Sequence, residues 1–364
     1  MELVEGQRLS ASEHGGYIVG HCIKQTPWYR LYAARKVFTN YRYAEREFYE
    51  AAEDEWLDVL IRACPDRGEP PSAAAEQSSK LLRYEAQEVL GDLNGWLPQP
   101  IDLLELESAG DGWHVSATKS PGRRRTAHRS GQTVERLLVL SQAHGQSLHE
   151  WRSAGRVDPA QALHVVAEIL DLLDRLHEKG QVMGGFSPDD FLIDDTGRWS
   201  CLCSDRVMAG ARATELRPCF PPERFPQGFS APETREPQTA LCAASDLYAW
   251  AALSLFLLTG EDPADDDSSS ASGPVINAQN REQLVAALAD ATEREPDLLT
   301  TMTAPGYRRT GQALVLSWVE SLTRCLSPDV QARPGSIDEL RQGAAKQSGR
   351  FSLKRLWRQV VGAK

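Results

Sequence analysis

Cysteine is present in the chain but not in a pattern that builds anything. The seven cysteines, Cys22, Cys64, Cys201, Cys203, Cys219, Cys242 and Cys325, are scattered and odd in number, and no C-x-x-C pair occurs. A disulfide framework and a zinc site are thereby disfavoured, and a reducing compartment is expected. The sequence also lacks an excess of base. With 51 acidic against 40 basic residues and a net charge of −11, it does not offer the positive face with which nucleic-acid binders neutralise phosphates. No run approaches the length of apolar chain that spans a bilayer; the longest, "LYAWAALSLFLLTG" from Leu247, reads as a buried core helix. The opening "MELVEGQRLSASEHGGY" lacks a basic segment followed by an apolar run, so no secretory signal is expected and the location is read as cytoplasmic.

What is present is an ordinary globular composition, 41% hydrophobic and 25% charged over 364 residues, enough for one large two-part domain. "YIVGHCIKQTPWYRLYAARKV" predicts two strands joined near Thr26-Pro27. Residues 49–79 begin with helical character and dissolve into Pro, Gly, Ser and Ala, which predicts an inserted loop. A helix follows from Ser79 to about Gly95, and "PIDLLELE", "GWHVSATK" and "RLLVLSQ" predict three further strands, the last two separated by the basic loop "SPGRRRTAHRSGQ". From Asp158 the period changes. Leu163, Val166, Ile169, Leu170, Leu173 and Leu176 recur at helical spacing up to Gly180. Further helices are expected at about 243–259, 281–293, 311–325 and 336–345, with an acidic, Ser-rich loop at 261–274. The organisation expected is an extension at 1–14, a β-rich region at 15–140, a helical region at 141–345 and a tail at 346–364, with no internal repeat.

The tail "SGRFSLKRLWRQVVGAK" sets Arg350, Lys354, Arg355, Arg358 and Lys364 beside an apolar face of Leu353, Leu356, Trp357, Val360 and Val361. A basic amphipathic helix of this kind is expected to touch an anionic membrane surface through residues 350–364 or dock on a partner; the alternatives are a helix that caps its own domain and a frayed tail.

Seven stretches in order carry a resemblance: "LYAAR" at 31–35, "RYEAQEVL", "HGQSLHEW", "LHEKG", "PPER" at 221–224, "SDLYAWAALSLFLLTG" and "CLSPDVQARPG" at 325–335. Together they resemble the eukaryotic-type protein kinase superfamily over roughly residues 15–345. The resemblance implies an α+β, bilobal fold with a β-rich small lobe and a mainly helical large lobe. It also implies that Asp246 accepts backbone hydrogen bonds beneath the catalytic loop and that Glu223 and Arg333 form a buried ion pair. Asp246 and Arg333 should then matter for stability, and Asp190 should not.

The same resemblance implies that the chemistry is missing. Kinases use a glycine-rich loop, a strand lysine paired with a helix glutamate, a catalytic aspartate, and an asparagine and aspartate that hold magnesium. The loop glycines fall on Lys24, Thr26 and Tyr29, the lysine on Arg46, and its partner on Glu85 or Glu88. Leu140 completes the degenerate pocket. With Pro188 aligned on the proline of H-R-D-L-K-P, the histidine falls on Met183, the catalytic aspartate on Gly185, the lysine on Ser187 and the metal-binding asparagine on Asp190. The second metal aspartate falls on Cys203 or Ser204, with Asp205 close by. The chain is thus similar to a pseudokinase, a binding or regulatory module for a protein partner, with no cofactor. The alternative is an atypical Ser/Thr kinase using ATP and magnesium through relocated carboxylates such as Asp189, Asp190, Asp194 or Asp205. A calcium loop in "PDDFLIDD" ranks last because it lacks the ligand spacing of such loops.

Overall fold

The computed structural model describes residues 3–11, 15–25, 30–37, 57–63, 96–98, 100–109, 112–119, 134–141, 143–155, 157–203, 206–209, 225–236, 239–263, 276–303 and 311–347. The expected helix at 79–95, the basic loop, most of the acidic loop and the C-terminal tail lie outside these residues. The chain is α+β and divides into two units, residues 1–144 with 200–205, and 145–199 with 206–364.

The first unit is built on an antiparallel sheet of β1 (Arg8–Ala11), β2 (Gly15–Gln25), β3 (Arg30–Val37), β4 (Leu57–Ala63), β5 (Pro100–Ala109), β6 (Gly112–Lys119) and β7 (Val134–Ser141), in the order β1-β2-β3-β4-β7-β5-β6. Two expectations are corrected here. Residues read as an N-terminal extension supply the edge strand β1, and Leu3 and Leu9 join the core with Tyr17, Val19, Tyr32, Val59, Ile61 and Val139. The segment read as an inserted loop contains β4, which pairs with β3 and β7. Val59 to Arg62 and Leu137 to Leu140 are all buried, so these central strands are covered on both faces and read as continuous runs rather than alternating ones.

The second unit is helical, with α1 (Leu148–Ser153), α2 (Pro159–Glu178), α3 (Ala243–Thr259), α4 (Ala278–Arg294), α5 (Leu298–Thr301), α6 (Gln312–Cys325) and α7 (Ile337–Gln347). Each longer helix matches an expected one to within a few residues. Their starts follow from the local sequence. Ser147 and Glu150 form a reciprocal capping box on α1, and Asp158 caps α2 with Pro159 in its first turn. Helix α3 is buried continuously from Ala244 to Leu258, as expected of a helix apolar on all sides. Trp250 on α3 donates its indole N–H to the Val166 carbonyl of α2 at 2.9 Å and meets Trp318 of α6 edge-on. Among the described residues no helix is long and apolar enough to cross a membrane.

Short strands place the loop that follows α2. Strand β8 (Gln146–Ser147) pairs with β10 (Phe191–Ile193), and β9 (Gln181–Val182) pairs with β12 (Met208–Ala209), each antiparallel. Strand β11 (Trp199–Cys201) carries the chain toward residues 200–205 of the first unit.

Candidate functional site

The stretch from Met183 to Asp190 is tied down from below by a carboxylate. Asp246, fully buried in the first turn of α3, accepts hydrogen bonds from the Met183 N–H at 3.0 Å and from the Gly184 N–H at 2.5 Å. His177, near the end of α2, lies 2.9 Å from Asp246 Oδ2 through Nε2. These charge-assisted bonds are stronger than neutral ones, and the helix N-terminus adds favourable field at the same carboxylate. This is the arrangement expected for Asp246.

Above that anchor, the position expected for a catalytic aspartate is filled. A β-carbon built on Gly185 would lie 2.3 Å from Ser230 Oγ and 2.9 Å from Ser230 Cβ. One built on Gly184 would lie 2.5 Å from Leu241 Cδ1 and 3.0 Å from Phe225 Cε1, at a backbone φ of +76°. Only glycine satisfies both the approach and, at Gly184, the backbone angle. A side chain at either glycine would thus meet Phe225, Ser230 or Leu241.

Asp190 corrects an expectation as well. It is a buried, paired carboxylate, 2% exposed, rather than a group dispensable for packing. Its Oδ2 accepts from the Ser187 N–H at 2.7 Å and the Ser187 hydroxyl at 3.1 Å, and its Oδ1 pairs with Arg206 Nη2. Arg206 also donates through Nη1 to the Gly185 carbonyl at 3.0 Å. Magnesium requires oxygen ligands free to take octahedral positions. A carboxylate already saturated by a hydroxyl, an amide and a buried guanidinium does not provide them, so these residues do not fit the metal. Among the described residues no group of three or more His, Cys, Asp or Glu side chains could hold a metal ion.

Asp194 and Asp189, the other described carboxylates of the alternative reading, are used or exposed. Asp194 caps its own turn, accepting from the Thr196 hydroxyl and from the Thr196 and Arg198 amides; these bonds hold its carboxyl below the usual range. Asp189 is exposed and lies 3.9 Å from His149. Ser204 and Asp205 lie outside the described residues. Cys203 is buried with its sulfur 3.3 Å from that of Cys201, a soft donor ill-suited to magnesium.

In the first unit, Thr26, Tyr29, Arg46, Glu85 and Glu88 lie outside the described residues. Lys24 is half-buried on β2 opposite Leu31, and Leu140 is buried on β7 opposite Leu60. The buried basic strand residue that is described is Arg62 on β4, 1% exposed, whose Nη2 donates to the Leu202 carbonyl at 2.5 Å. Sequence reasoning missed it. The signal was there in part, since Val59-Leu60-Ile61 is a short apolar run of the kind that forms a covered strand.

The ion pair expected between Glu223 and Arg333 is corrected. Arg333 pairs in bidentate fashion with Glu233, Nη1 to Oε1 at 2.7 Å and Nη2 to Oε2 at 3.0 Å. Glu223 lies outside the described residues. The remaining donors of Arg333 go to the carbonyls of Ser327, Ala244 and Pro328, and its guanidinium lies 4.8 Å from the Tyr248 ring centroid. Burial by itself raises the pKa of Glu233, but hydrogen bonds from Arg333 and Ser245 and the charge of Arg333 outweigh it and hold the carboxyl below its usual range. Burial pushes the Tyr248 hydroxyl up to about 12. No protein-family model matches the chain, and no curated protein matches it.

Proposed function

We propose that this chain is a pseudokinase: a kinase-like, two-lobed protein that serves as a protein-binding or regulatory scaffold and makes no productive use of magnesium and ATP. The observation that carries the reading is the Met183–Asp190 stretch, held by Asp246 as a catalytic loop would be held, with Ser230 packed into the place of its base. In this reading Arg62 takes the position of the strand lysine and Glu233 that of the A-P-E glutamate, in the literal tripeptide Ala231-Pro232-Glu233. An arginine at the lysine position keeps the charge but presents a planar fork in place of a compact ammonium, which alters phosphate geometry. The terms removed each lower a phosphotransfer barrier by several kcal/mol, roughly 3–4 for one electrostatic donor, and act jointly. Free thiols among the described residues and the absence of a pairing pattern support a reducing, cytoplasmic setting.

The test is transfer of labelled phosphate from ATP to the chain itself and to generic protein substrates, for the wild type and for Gly185→Asp. No incorporation is expected from either, because the base position is blocked and the metal site is taken. Magnesium-dependent incorporation by the wild type, lost in Asp190→Asn or Asp205→Asn, would overturn the reading in favour of an atypical kinase.

A further inference from the structure

Asp190 stands, in the reading above, where a metal-binding residue belongs, and its surroundings do not fit a metal. We propose that the guanidinium of Arg206 is the cation of this site, a counter-ion supplied by the chain itself that organises the Met183–Asp190 stretch in a metal's stead and keeps Asp190 masked as a latent ligand for a divalent cation. The inference rests on the pseudokinase reading only for the kind of ion that Arg206 replaces.

The geometry is that of a bridge. Arg206, 5% exposed just ahead of β12, reaches Asp190 with Nη2 and the Gly185 carbonyl with Nη1, and so bridges two points of the stretch. A carboxylate oxygen and a backbone carbonyl are the hard oxygen donors that a divalent cation prefers. A guanidinium satisfies the same pair without the demands of a metal: it is charged at every accessible pH, its fork is preorganised, and it cannot dissociate. It also presents no open coordination position. The stretch is therefore held in one conformation whatever the metal content of the medium, and Ser187, bonded to the other oxygen of Asp190 through both its amide and its hydroxyl, completes the closure.

Thermal unfolding of the full chain, in EDTA and in millimolar Mn²⁺, tests this for the wild type, Arg206→Gln, Asp190→Asn and the double variant. The wild type should unfold at the same temperature in both media. Arg206→Gln, which takes this counter-ion from a buried carboxylate, should fall by roughly 6–20 °C in EDTA and recover part of that loss in Mn²⁺. The double variant removes both charges of the pair; it should unfold above Arg206→Gln and ignore Mn²⁺. A wild type stabilised by Mn²⁺ in a manner lost in Asp190→Asn would overturn the proposal, as would an Arg206→Gln protein that unfolds like the wild type or does not respond to Mn²⁺. Should Arg206→Gln fail to fold, Arg206→Lys keeps the charge without the fork and should unfold at a lower temperature with no Mn²⁺ response; stabilisation of that variant by Mn²⁺ would contradict the proposal. Phosphate transfer is not read in any arm, so the pseudokinase reading stands or falls separately.

Discussion

Arg333 and Arg206 are both buried arginines paired with carboxylates in the same helical unit, and they serve it differently. Arg333 spends its donors on Glu233 and three backbone carbonyls, joining the segment around Glu233, the start of α3 and the loop after α6. Removing it would loosen three parts of the unit together. Arg206 links the Asp190 carboxylate to the Gly185 carbonyl. The same kind of contact thus ties several segments together in one place and, on the proposed reading, closes the chemistry in another.

That contrast sets the order of the expected effects. Arg333→Ala should be the most damaging, since it leaves the half-buried Glu233 without its counter-ion and three backbone carbonyls without their buried donor; a loss of about 3–5 kcal/mol is expected in denaturant unfolding. An unchanged midpoint would show that the hub does not hold the unit. Asp246→Asn should come next, with a loss of roughly 1.5–3 kcal/mol, because its carboxylate serves two backbone amides and His177. Gly185→Ala should cost about 1–3 kcal/mol through overpacking against Ser230. Adding Ser230→Gly should return much of that loss, and a double-mutant cycle that came out additive would break the claim that Ser230 fills the base position.

The smallest effect is in pH. The Glu233 carboxyl is held below its unperturbed value of 4.5, so its contribution to stability is complete above that pH and is lost as pH falls through the lower folded value. Unfolding followed from pH 6 to pH 3 should therefore show a loss of stability below about pH 4.5 that Glu233→Gln lacks. Equal pH profiles for the two proteins would contradict the assignment.

Much of the helical unit was legible in the sequence because its period is regular. The Leu163 to Leu176 stripe of α2 lies buried as expected, and α3 is a core helix because its run carries no polar face. The sheet was less legible where strands are short and covered on both sides. Strand β4 sits between an acidic, helix-favouring stretch and a Pro- and Ser-rich one, and those flanks obscured Val59 and Ile61; with the strand went Arg62. Glu233 was missed for another reason: the tripeptide Ala231-Pro232-Glu233 was present, but "PPER" lies ten residues earlier, and spacing alone does not separate the two. The Arg206–Asp190 pair and the seat of Ser230 on Gly185 had no local signal at all. Both depend on how the loop after α2 is folded back against later segments, which neither period nor motif encodes.

The most direct test of the central claim is a titration of the purified chain with ATP in the presence and absence of magnesium. On the proposed reading, in which Arg206 stands at the metal position and Ser230 at the base position, magnesium should not tighten nucleotide binding, whether or not binding is measurable without it. ATP binding that strengthens severalfold on adding magnesium, and loses that gain in Asp190→Asn, would contradict the account.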